Sequence, residues 1–169
     1  MTTKTYPTQW PYRNVLCDLV PELLKQVDQL NTYWAKEGLT GGFLHFRGTN
    51  TKKHTHINDK DVAGWLIAIA NNLDRPVHPI IIGLRNPIRR TDHFHIIVGV
   101  AYKHDEYKSI EKIMNTSWKD GASRVMVADL NQEPYSPLEY IPAKHNYTRG
   151  LRNEYVPRRL LRLRNKKQS

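Results

Sequence analysis

Apolar residues Val20, Leu23, Leu24, Val27, Leu30 and Trp34 recur at three- and four-residue intervals, the spacing of one helix face. Pro21 suits the first turn of that helix and Gly38 its end. Residues 1–17, with Tyr6, Pro7, Trp10, Pro11 and Tyr12, predict an extended arm before it. After Gly41-Gly42 the pattern changes to the short apolar run Phe43-Leu44-His45-Phe46-Arg47, expected as a first strand. A polar loop then leads to a second helix at about Asp61–Asn71, around Trp65, Ile67 and Ile69. His78–Leu84 and His93–Val100 are strand-length apolar runs. The turn residues Asn86-Pro87 and Arg89-Arg90-Thr91-Asp92 separate them, which predicts an antiparallel hairpin. Asp105–Trp118 reads as a helix with Tyr107, Ile110, Ile113 and Met114 on one face, and Arg124–Leu130 as a strand. Ser136-Pro137-Leu138-Glu139 combines capping-box spacing with proline at the first helical position, so a helix is expected to start just before Tyr140.

Helices and strands joined by short connections predict an α+β fold: one antiparallel central sheet with flanking helices, in a single domain. Within it we distinguish an N-terminal arm and helix (1–40), a central unit (41–148) and a C-terminal tail (149–169). Of the 169 residues, 39% are hydrophobic and 25% charged, enough for one core. The 26 Lys and Arg against 16 Asp and Glu give a formal charge of +10, which points to polyanionic partners. Much of that charge sits in the tail, where Arg149, Arg152, Arg158, Arg159, Arg162 and Arg164 accompany Lys166 and Lys167 against one acid, Glu154. Cys17 is the only cysteine, so an intramolecular disulfide and a multi-cysteine zinc site are excluded. No apolar run reaches the length of a bilayer span and no hydrophobic leader opens the chain. The expectation is a cytoplasmic protein without a membrane partner.

The sharpest chemical signal is His93-Phe94-His95. Side chains alternate along a strand, so both histidines share a face, and two imidazoles so placed can ligate one divalent ion. The same spacing in His54-Thr55-His56 lies in a polar stretch beside Lys52 and Lys53 and reads as a surface loop. Tyr140 lies on the capped helix, with Lys144 one turn further. If Tyr140 faces the histidine pair, an ion that polarises a phosphate and a phenol that attacks it form a device for phosphoryl transfer through a covalent phosphotyrosine.

This layout resembles the HUH endonuclease superfamily, most closely the rolling-circle replication initiators (Rep proteins) of phages, plasmids and small viruses. Phe43-Leu44-His45-Phe46-Arg47-Gly48-Thr49 sits where the family's first-strand motif lies, and His93-Phe94-His95-Ile96-Ile97-Val98 fits its metal-binding strand. Trp118-Lys119-Asp120-Gly121, the strand after it, and Tyr140 with Lys144 are similar to the family's last motif. The resemblance implies a ferredoxin-like sheet, Mg²⁺ or Mn²⁺ as the ion, and site-specific nicking and rejoining of single-stranded DNA or an origin hairpin. It makes His93 and His95 metal ligands, Tyr140 the nucleophile and Lys144 a phosphate or metal-water contact. Basic residues Arg47, Arg89 and Arg90, with the tail arginines, are the expected grip on DNA. No G-x-x-x-x-G-K-[ST] occurs, so unwinding would fall to a host helicase.

Three points stay open in the sequence. Many relatives carry an acidic third ligand on the strand before the histidines; Ile80–Leu84 has none, which leaves His78, His45 and His145. Pro142 should kink the nucleophile helix or delay its start, which makes Tyr147 and Tyr135 rival nucleophiles. The same residues also fit a single-strand transposase or mobilisation relaxase, and a non-catalytic nucleic-acid-binding protein remains an alternative. A two-histidine phosphoesterase fits poorly, because the second position after His54 and His93 holds histidine rather than Ser or Thr.

Overall fold

In the computed structural model, residues 13–50, 57–84, 93–131, 136–145 and 147–168 are described. Helix α1 (Arg13–Lys36) starts inside the expected arm and places Pro21 within the helix rather than in its first turn. Its stripe of Leu23, Val27 and Trp34 is buried. Gly38 ends it at φ 68°, a left-handed conformation open to a residue without Cβ.

Then follow β1 (Gly41–Thr49), α2 (Asp59–Leu73), β2 (Val77–Leu84), β3 (His93–Ala101), α3 (Tyr107–Ser117) and β4 (Ser123–Val127). These strands lie in the order β4-β1-β3-β2 and every neighbouring pair is antiparallel. That is the ferredoxin-like βαββαβ arrangement, and β2 with β3 forms the expected antiparallel pair. A further strand, β5 (Tyr147–Gly150), adds to the outer edge of β2. The sequence pattern did not mark it, and the boundary drawn after residue 148 falls inside it. The fold is α+β, one domain built on a five-stranded antiparallel sheet.

Alternation along the strands divides the core in two. Phe94, Ile96, Val98 and Val100 of β3 face α2 and α3, where Phe46, Trp65, Met114 and Trp118 join them. The Phe46 and Trp65 rings lie 3.9 Å apart, centre to centre. Trp65 Nε1 donates to the Met114 carbonyl and Trp118 Nε1 to that of Thr49, so burying these rings strands no polar hydrogen. Each such fully buried side chain contributes roughly 1.5–3 kcal/mol. At the start of α2, the Asn58 side chain accepts from the Asp61 amide while Asp61 accepts from that of Asn58.

The opposite face of β3 carries His93, His95, Ile97 and Gly99. Its lower part is covered by Leu23, Val27 and Trp34 of α1 and by Leu138 and Ile141 of α4 (Pro137–Lys144). Ser136 precedes α4 but makes no side-chain cap, so the expected capping box is not formed. Its carbonyl instead takes the amides of Glu139 and Tyr140, and Pro137 occupies the first helical position. The helix runs through Pro142. Since α4 is only eight residues long, the proline costs it one amide donor near its end.

Beyond β5 the chain returns along the sheet, where Tyr155 bridges Val77 at the end of β2 remote from Leu84. Helix α5 (Arg158–Gln168) docks at the C-terminal end of α2 through Arg159 on Asp74 and the Arg158 amide on the Asn71 side chain. The basic tail thus ends as an exposed helix at the far end of the sheet from His93. Among the described residues, no helix is long and apolar enough to cross a membrane.

Candidate metal centre

Residue parity on β3 puts His93 and His95 on one face, and α4 brings a third imidazole over them. His145, the residue that ends α4, has its ring centre 4.7 Å from that of His95 and 5.6 Å from that of His93. Each of the three offers a ligand nitrogen, and these nitrogens lie within 4.8 Å of one another. His95 and His145 are buried and His93 is half-buried. What permits the approach is Gly83, directly opposite His95 on β2. A Cβ at Gly83 would overlap the Ile141 side chain and come 3.0 Å from the His145 ring. The position opposite His95 is therefore left empty of side chain, and the helix fills it from above.

Proton positions follow from the partners. His145 Nδ1 lies 2.8 Å from the Ile141 carbonyl, which can only accept, so Nδ1 carries the proton and Nε2 is the lone-pair nitrogen. His45 Nε2 and His95 Nδ1 share one proton across 2.7 Å, both buried. Burial, reinforced by the charges of His145, His45, His93 and Arg47, pushes His95 down to about 2. Burial, with a smaller contribution from His145, takes His45 to about 4. At neutral pH both rings are uncharged, the state that metal coordination requires.

Tyr140 stands at the open side of this centre. Its ring lies 6.1 Å from that of His95, nearly perpendicular, and the residue is 39% exposed. Lys144 is exposed one turn further along α4, on the face shared by positions four apart. Tyr147 pairs with Leu84 and so projects to the other face of the sheet, away from His95. Tyr135 lies outside the described residues.

The other expected residues divide clearly. His78 lies opposite Gly99, far down the strand, with Nε2 4.0 Å from Glu154, and has no place in the cluster. His45 reaches His95 rather than the group of three. Arg47 is exposed and directly opposite His95. Arg149, Arg152, Arg159 and Arg164 pair with Asp59, Glu22, Asp74 and Glu154 in turn. Arg158 and Arg162 are exposed on α5. The histidines at 54 and 56 and the arginines at 89 and 90 lie outside the described residues. Gly83 was missed as a site residue; only strand register, which the hydrophobic pattern does not specify, places it beside His95.

Three imidazoles, one with its tautomer fixed, fit a divalent ion and leave coordination positions for a ligand. No family model, no curated protein and no solved structure matches the chain.

Proposed function

We propose that this protein is a metal-dependent nuclease of the HUH type that nicks and rejoins single-stranded DNA through Tyr140. The observation that supports this most is that one short helix delivers both the third imidazole, His145, and the exposed phenol of Tyr140 to the histidine strand. His93, His95 and His145 would hold the ion, which when bound supplies Lewis-acid stabilisation of charge building on a phosphate. An all-imidazole donor set favours a first-row transition ion such as Mn²⁺ over Mg²⁺, which prefers oxygen ligands.

Tyr140 gives up its phenolic proton as its oxygen bonds to phosphorus. The bond from phosphorus to the 3′ oxygen breaks, and that oxygen leaves with a proton as a free 3′-hydroxyl. The 5′ end stays on the tyrosine, and attack by a 3′-hydroxyl on the phosphotyrosine rejoins the strand. Lys144, an ammonium on the same helix face, holds the phosphate charge. Initiation of rolling-circle replication, with unwinding by a host helicase, is the role we assign; transposition and mobilisation use the same chemistry on other DNA. Incubation with a randomised single-stranded oligonucleotide pool and Mn²⁺ is expected to give metal-dependent cleavage that EDTA abolishes. Binding without cleavage under Mn²⁺ or Co²⁺ would favour a non-catalytic role.

A further inference from the structure

Arg47 and Arg124 lie directly opposite each other on β1 and β4. A single row, Arg124–Arg47–His95–Gly83–Thr148, crosses all the strands on the face that holds the metal centre. Both arginines are exposed. Like charges directly opposite each other destabilise an antiparallel pair. Among the described residues, neither guanidinium has an acidic partner to offset that cost. The contrast with the tail is sharp, because Arg149, Arg152, Arg159 and Arg164 each reach a carboxylate within 2.9, 3.4, 2.7 and 3.8 Å. Since β4 is the last strand of the sheet, the row is open at that edge. Met126, two pairs along and opposite His45, adds an exposed apolar surface on the same face.

We infer that Arg47 and Arg124 form a phosphodiester-binding subsite that holds the DNA strand on one side of the scissile phosphate, the strand entering over the β4 edge. This rests on the reading above for where the scissile phosphate lies. Neighbouring strands are ~5 Å apart, so the two guanidinium groups start one and two strand widths from His95, where flanking phosphates would pass. The grip on DNA is thereby assigned to the sheet beside the chemistry, and the tail's ion-paired arginines are not part of it.

The test is anisotropy of a fluorescein-labelled oligothymidylate across a range of NaCl concentrations, with the full chain, without added metal, in a Tyr140→Phe background. Arg47→Gln and Arg124→Gln are each expected to reduce the slope of log K against log salt by about 0.7, the value for one phosphate contact to a single strand. Arg159→Gln with Arg164→Gln should leave the slope unchanged. Thermal melting of either sheet variant should hold or rise, because the opposed charges are relieved; a fall would overturn the argument from repulsion. An unchanged slope in the Arg47/Arg124 double variant, or a loss carried by the tail pair, would also overturn it. A covalent adduct in the parent chain with no slope change keeps the nuclease reading and rejects this one. A slope change with no adduct keeps Arg47 and Arg124 as a phosphodiester-binding pair but rejects the nuclease reading, and with it their place beside a scissile phosphate.

Discussion

Gly83 lies opposite His95 in the sheet and directly beneath the His145 ring, so one missing side chain lets α4 reach the histidine strand. Gly83→Ala is expected to push Ile141 and His145 off the sheet. Overpacking of this kind costs about 1–3 kcal/mol, and the displaced imidazole should weaken metal binding as well. Thermal denaturation and titration with Co²⁺ check both effects; unchanged metal affinity would mean that the helix position does not govern the centre.

The donor set makes a separate statement about the ion. Affinity is expected to rise from Mn²⁺ through Co²⁺ to Ni²⁺, the usual order for nitrogen ligands, with Mg²⁺ weakest. His145→Ala should lower Co²⁺ affinity strongly, whereas His78→Ala should leave it unchanged, since His78 sits beside Glu154 away from the cluster. Calorimetric titration of the two variants distinguishes His145 from His78 as the third ligand.

The buried histidines also set a pH dependence for the metal-free protein. His45 is held near 4 and His95 near 2, so the folded state stays unprotonated where the unfolded chain, titrating near 6.5, takes up protons. The stability is fully present above about pH 6.5 and is lost as pH falls, through 4 for His45 and on toward 2 for His95. The slope reaches at most about 1.4 kcal/mol per pH unit for each histidine. Denaturant midpoints measured from neutral to acid pH should show the decline, and His45→Gln should make it shallower.

Much of the frame is legible in the sequence because it follows from periodicity. The apolar runs around Phe46, Ile81 and Ile96 mark β1, β2 and β3, and strand parity alone places His93 and His95 on one face. The half-polar segment Tyr147–Gly150 carries too little apolar pattern to announce a strand; its place comes from pairing with β2. Among His45, His78 and His145 the sequence has no means of choosing, because the choice depends on how closely α4 approaches Gly83. The tail's charge is equally visible and equally unplaced. Its distance from the centre is set by Tyr155 on Val77 and by Arg159 on Asp74, contacts between distant parts of the chain.

The central claim is that Tyr140 attacks DNA beside an ion held by His93, His95 and His145. Its most direct measurement is mass-spectrometric mapping of an SDS-resistant protein–DNA adduct formed with single-stranded DNA and Mn²⁺. The expected result is a nucleotide on the peptide containing Tyr140, absent in Tyr140→Phe and retained in Tyr147→Phe. An adduct that persists in Tyr140→Phe, or that maps to Tyr147, would contradict the account.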